Sequence, residues 1–184
     1  MTPAPPARKA APHGDGGASK VAPARRDGDT EAMAESTPAA IVIRQAQRAD
    51  IPELVVLNRL AYPTMAEENV VWGVPHLRSH LQYFPQGQLV AQIDGRIVGA
   101  CSSLIVDLGP NPLRPHTWAG ITDSGYFTNH DPTADTLYGA DVYVHPDFWG
   151  RGIGHVLYEA RKELCRRLNL RRILSGGRLW NYVE

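Results

Sequence analysis

The stretch "VYVHPDFWGRGIGHVLYEARKEL", residues 142 to 164, holds residue types in an order that suggests chemistry. It opens with alternating apolar residues, sets Gly150, Gly152 and Gly154 at every second position around Arg151, and continues with helical periodicity. A strand that passes through glycines into a helix points several backbone N–H groups, and the positive end of the helix dipole, at one small volume. That volume suits phosphate. Glycine serves such a turn because a Cβ would hold a ligand away from the backbone and because some turn positions want positive φ. Two familiar phosphate loops do not fit. A Walker loop ends in Gly-Lys-Ser or Gly-Lys-Thr, which is absent, and a dinucleotide fingerprint begun at Gly150 would need a glycine where His155 stands. A plain strand-to-helix turn does not ask for three glycines and an arginine.

The elements that must position this turn follow from periodicity. "IVIRQA", residues 41 to 46, reads as a short strand. In "RADIPELVVLNRLAYP", Asp50 before Ile51-Pro52, with Glu53 three residues on, predicts a capped helix ending near Tyr62-Pro63. Leu77, Leu81 and Phe84 share helical spacing up to Pro85 and predict a second helix. "QLVAQI" and "RIVGACSSLIVDL", joined by Asp94-Gly95, predict a hairpin with a type I′ turn. Residues 107 to 137 form a long loop containing Trp118, Tyr126 and Phe127, expected to fold over a site rather than stay loose. "YGADVYV", residues 138 to 144, is a strand. Ile153, Val156, Leu157, Ala160, Leu164 and Leu168 then trace one helical face, and "RRILSG" is a last strand. On the strand before the glycines the two-residue period puts Asp141, Tyr143 and His145 on one face and Ala140, Val142 and Val144 on the other.

Composition limits the partners. Nineteen basic and nineteen acidic residues balance, so no global field favours nucleic acid or an anionic membrane, and any anion site is local. Cys101 and Cys165 read as reduced thiols, and no apolar run reaches the length of a membrane span. A cytoplasmic protein is expected. Residues 1 to 39 are Ala-, Pro- and Gly-rich with no aromatic residue; they are read as a disordered tail before a domain from residue 40 to 184.

The order strand, helix, helix, hairpin, strand, glycine turn, helix, strand, together with "VYVHPDFWGRGIGHVLYEA", resembles the GNAT superfamily of acetyl-coenzyme A-dependent N-acetyltransferases. The resemblance runs from Ile41 onward and is most specific between Tyr138 and Tyr158. It implies an α/β (α+β) fold, a mixed central sheet flanked by helices. The family's motif has Arg or Gln, two residues, Gly, one residue, then Gly or Ala; here Trp149, Gly150, Arg151, Gly152, Ile153 and Gly154 stand there. The glycines match and Trp149 does not, which leaves Arg151 as the cationic complement to a pyrophosphate. The family further implies that the backbone of Val142, Tyr143 and Val144 pairs with the pantetheine arm of acetyl-CoA, in a gap where this strand splays from the one at residues 172 to 175. "AYPTMAEENVVWG", "TWAGITDSGYFTNHDP" and "LYEARKELCRRLNLRRI" look like the acetyltransferase half of proteins that join such a domain to a nitrilase-type carbon-nitrogen hydrolase.

The implied reaction is attack of an amine, on a small molecule or a protein, upon the thioester, assisted by a base. Asp141 is the candidate base, with a structural role as an N–H acceptor the competing reading; His130 and Asp131 are weaker candidates. The family continues past the strand at Ile173 with a helix and two more strands, and the helix carries the tyrosine acid; Tyr182 is not matched to it, and the chain is read as C-terminally incomplete. A second copy of the chain, as a homodimer, or another chain would cover the exposed edge. Glu67, Glu68 and Trp72 either line the acceptor site or sit on a solvated turn. No metal is expected, since His116, Asp123, His130 and Asp131 match no ligand spacing. The alternative to an acetyltransferase is an inactive CoA-binding module or a fragment of a larger acetyltransferase/amidohydrolase protein.

Overall fold

The computed structural model describes residues 40 to 176; the expectations for residues 1 to 39 and for Tyr182 lie outside them. The elements in chain order are β1 (Val42–Gln45), α1 (Ile51–Ala61), α2 (Pro63–Glu67), α3 (Val74–Tyr83), β2 (Gln88–Ile93), β3 (Arg96–Val106), α4 (Trp118–Thr122), β4 (Thr136–Val144), α5 (Ile153–Arg167) and β5 (Arg172–Ser175). The five strands form one sheet in the order β1-β2-β3-β4-β5. Neighbours are antiparallel except β4 and β5, which run parallel with α5 as the crossover between them.

Helices cover both faces, which makes this a mixed α/β sheet. On one face Leu54, Leu57, Trp72 and Leu77 pack with Val90, Ala100, Leu104, Tyr138 and Tyr143. On the other, Ile153 and Leu157 of α5 meet Leu89, Val98 and Cys101, while Leu164 and Cys165 meet Ile105 and Leu137. β3, with a helix layer on each side, is buried along its whole length after Arg96, as central strands are. Asp94 and Gly95 both take positive φ, as the type I′ turn requires.

Three local expectations need correction. Asp50 does not cap α1 with its side chain; its carboxylate is held by Arg44 at 2.6 and 2.9 Å and accepts from the Gln47 N–H. Glu53 accepts from the backbone of Ile97 at 3.0 Å instead of closing a box. The long loop is shorter than expected, because α4 lies within it and β4 begins at Thr136. Finally, Ala140 does not share a face with Val142 and Val144: it packs beside Tyr138, whereas the two valines pack against the α5 side.

Candidate active site

The cause of that last difference is a β-bulge. On β3 the neighbours Ser102 and Ser103 pair with Asp141 and Gly139, which leaves Ala140 as an extra residue of β4. A bulge bends its strand and raises its twist, and bulges recur beside active sites. Up to Gly139, β4 is paired on both sides, with Gly139 opposite Ser175 on β5. Among the described residues, 140 to 144 have β3 as their ladder partner. His145 N–H donates to Val98 C=O at 2.8 Å, so by the two-residue period Tyr143 and Asp141 turn their backbone groups to β3, and Ala140, Val142 and Val144 turn theirs outward.

Those outward groups are met by side chains from three distant places. The Trp118 indole N–H donates to Ala140 C=O at 3.0 Å, and the Trp149 indole N–H to Val144 C=O at 2.9 Å. Between them the Tyr62 hydroxyl lies 2.9 Å from Val142 C=O and 2.6 Å from Asp141 Oδ1. Asp141 Oδ1 also accepts from the Val142 N–H at 2.8 Å. Tyr143, one of the three residues expected to pair with a ligand arm, has its backbone committed to β3 and its side chain buried; the outward positions are Val142 and Val144.

Asp141 is the chemically distinctive group on this edge. Burial pushes its carboxyl up to about 6, against the Tyr62 hydroxyl, the Val142 N–H, the Arg161 charge and Asn58, all of which pull it down. A carboxylate so tuned ionises just below neutrality, the range in which a general base works. The phenols beside it are pushed up as well: burial, then the Asp141 charge, raise both Tyr62 and Tyr143 far above the usual phenol range. Tyr62 is therefore a proton donor to Asp141, not an acid that gives its proton up.

The glycine turn lies past the end of β4. Residues Pro146–Phe148 form one turn of 3-10 helix, and α5 starts after Gly152. Gly150 and Gly152 have φ of 74° and 77°, so the backbone itself asks for glycine at both. Gly154 has no positive φ and a Cβ there would meet nothing within 4 Å. Among the described residues no contact asks for glycine there, and the space beside the first turn of α5 is open. No side chain caps that turn, so its first N–H groups are available to an anion. Arg151, exposed, lies with its guanidinium 4.9 Å from the Phe148 ring centre, beside the glycines. This local chemistry fits a pyrophosphate, and the outward backbone of β4 fits an extended amide-bearing arm.

The loop after β3 builds the wall on the α3 side. Phe127, with φ of 61° and no exposure, stacks on His80 with ring centres 3.8 Å apart, and Trp118 stacks on Trp72 at 6.2 Å. His80 is bonded to Gly125 C=O at 2.6 Å. Burial lowers its pKa to about 4, so the ring is neutral and Nε2 is the donor. Trp72 is thus a wall residue, while Glu67 and Glu68 stay exposed. His116, Asp123 and Asp131 bond locally, to Arg114, Thr128 and Thr133, and His130 accepts from the Ile105 N–H of β3; among the described residues no group of three or more His, Cys, Asp or Glu could hold a metal ion.

Sequence reasoning missed Tyr62, Trp118 as a β4 partner, and Arg161. Nothing along the chain links Tyr62 to Asp141, 79 positions away. Arg161 did leave a signal: it stands four residues after Leu157 and three before Leu164, inside the apolar stripe of α5.

Comparison with known proteins agrees with this geometry. The profile of the acetyltransferase (GNAT) family matches residues 53–182. Two curated proteins of Bacillus subtilis (strain 168) are similar. "Probable hydrolase YhcX" is 46% identical over 142 residues, 77% of this chain and 27% of that protein. "Uncharacterized N-acetyltransferase YkwB" is 39% identical over 145 residues, 79% of this chain and 64% of that protein. The chain thus spans less than two thirds of either relative. Among solved structures, the GphF GNAT-like decarboxylase in complex with isobutyryl-CoA superposes with a TM-score of 0.64 at 25% identity, covering 77% of this chain and 68% of that one. The loading GNATL domain of CurA from Lyngbya majuscula shares the fold, with a TM-score of 0.65 at 21% identity over 78% and 67% of the two chains. A bulged β4, a glycine turn with an open helix start and a matching family profile lead to one conclusion: this chain belongs to the GNAT acetyltransferase family.

Proposed function

We propose that the protein transfers an acetyl group from acetyl-CoA to an amine acceptor, with Asp141 as the base. The observation that carries this reading is the placement of Asp141 at the β4 bulge, on the strand that leads through a 3-10 turn into the glycine turn. When bound, acetyl-CoA supplies an activated acyl carbonyl. The N–H groups at residues 150 to 154 and Arg151 hold its pyrophosphate, and the outward backbone of Val142 and Val144 holds its pantetheine arm, with Trp149 flanking; Ile153, its side chain buried in the core, offers its N–H alone. Asp141, partly exposed and desolvated, takes the proton that the acceptor nitrogen loses as its bond to the acyl carbon forms and the thioester C–S bond breaks, coenzyme A leaving with the sulfur's electron pair as its thiolate and taking a proton from solvent. The aromatic wall of Trp72 and Trp118 faces the acceptor side, and a cytoplasmic location goes with this chemistry.

A second reading is favoured by Trp149: an indole that bonds Val144 C=O occupies the edge an arm would use, as in a CoA-binding module without turnover. One experiment separates them. The full chain is titrated calorimetrically with acetyl-CoA beside Gly152→Val, and thiol release is followed with a panel of amines. Binding that Gly152→Val abolishes, followed by amine-dependent thiol release, is the expected result. Binding without release supports the module, and a folded sample that does not bind removes both.

A further inference from the structure

Arg161 is a charge kept where charges are expensive. Its side chain is 1% exposed. Among the described residues no carboxylate lies within ion-pair distance of it. A desolvated guanidinium without a counter-ion costs several kcal/mol, and a leucine or methionine would continue the apolar stripe of α5 without that cost. The fold instead makes room for it. Gly139 carries no Cβ, and one placed there would lie 2.7 Å from Nη1 and 2.9 Å from Cζ.

The place it fills is the β4 bulge. Arg161 Nη2 donates to Asp141 C=O at 2.5 Å and to Ser102 C=O at 3.3 Å, and Nε donates to the Ser103 hydroxyl at 3.0 Å. These acceptors flank the step where the β3–β4 register shifts, so the guanidinium substitutes for ladder hydrogen bonds that the extra residue disrupts. Its outer face rests 5.2 Å from the Tyr158 ring centre. It cannot reach a ligand from there. We propose that Arg161 is a positioning residue for Asp141: it pins the bulge that aims this residue at the acceptor. This rests on the reading of Asp141 as the base. The titratable groups around Asp141 are Tyr62 from the α1–α2 junction, Tyr143 on β4, Cys101 on β3 and Arg161 on α5. Arg161 is the cation among them, and its charge pulls the Asp141 carboxyl down against burial.

The Val142 N–H, which bonds the Asp141 carboxylate, gives a readout independent of turnover. Its amide shift is followed against pH in the full chain, with the acid limb of acetyl transfer measured in parallel. In the unmodified protein the amide titrates near 6, the value burial gives Asp141, and Asp141→Asn removes that titration. Arg161→Met moves the midpoint and the acid limb up by roughly one pH unit, Gly139→Ala moves them the same way by less, and Arg161→Lys, which keeps the charge, leaves them nearly in place. Folded variants of Arg161→Met and Gly139→Ala with an unmoved midpoint overturn the proposal. Where Arg161→Met does not fold, Gly139→Ala decides alone, since it retains the charge and crowds only a side-chain tip. A midpoint that moves while Asp141→Asn keeps full activity sinks the base reading and leaves the Arg161 assignment standing.

Discussion

The two halves of β4 are held by different means. Residues 136 to 139 sit between β3 and β5, with both backbone edges in ladders. Residues 140 to 144 keep β3 on one side, and on the other their carbonyls are met by Trp118, Tyr62 and Trp149. Ladder hydrogen bonds are local, cooperative and indifferent to side-chain identity. A strand edge closed by side chains depends on three particular residues, each of which can move away. The first half is a fixture of the core and the second is, among the described residues, an edge closed by side chains, and the bulge at Ala140 divides them.

This division makes separable predictions about stability and activity. Asp141→Asn, in the free half, is expected to lower acetyl transfer by roughly 10²- to 10⁴-fold while leaving the fold intact. Its effect on stability has a definite sign. Burial raises the Asp141 carboxyl above its ordinary value of 3.8, to about 6, so the native state binds more protons than the unfolded one between those pH values. Stability is therefore lost as pH rises through that window. Asp141→Asn should melt higher than the unmodified protein above pH 6, with the advantage gone below about pH 4. Denaturant titrations at both ends of the range check this; a variant that is less stable at neutral pH would mean that the ionised carboxylate holds the strand rather than strains it.

The converse belongs to the paired half. Leu137 has no exposure and packs with Ile105 and Leu164. Leu137→Ala is expected to cost about 2–5 kcal/mol of stability, with acetyl transfer per folded molecule nearly unchanged at low temperature. A large loss of specific activity in folded Leu137→Ala would show that the two halves are mechanically coupled across the bulge.

Tyr62→Phe is a finer cut. It removes one hydroxyl shared by Asp141 and Val142 C=O. Because that hydrogen bond pulls the Asp141 carboxyl down, its loss should raise the acid limb of the pH profile and cost about 1 kcal/mol of stability. An unchanged limb would mean that the hydroxyl spends its proton on Val142 C=O.

What was legible in the sequence follows the same line. The hairpin through Asp94-Gly95, the strand around Val142, the amphipathic α5 and the glycine turn all announce themselves through local periodicity or turn chemistry, and each is where it was expected. The bulge was not legible, because a register shift depends on both strands of a pair, and the face assigned to Ala140 was wrong for that reason. The Asp50 cap failed because Arg44, six residues upstream, offers the carboxylate a bidentate partner that a backbone N–H cannot match. Arg161 was visible as a charge inside an apolar stripe, but its meaning needed the gap left by Gly139 on another element.

The smallest expected effect bears on how freely the second half exchanges partners. Trp149 is 65% exposed, and its indole N–H donates to Val144 C=O. A net neutral hydrogen bond at such a site contributes about 0.5–1.5 kcal/mol, so an arm that takes its place must first forgo that amount. Trp149→Phe keeps an aromatic ring and removes the donor. It should therefore tighten acetyl-CoA binding about two- to tenfold, with little change in melting temperature, and calorimetric titration of the two proteins side by side reads the difference. Weaker binding in Trp149→Phe would reverse the assignment: the indole would then belong to the bound state, as a wall for the ligand, and the free half of β4 would be less open to exchange than its hydrogen bonds imply.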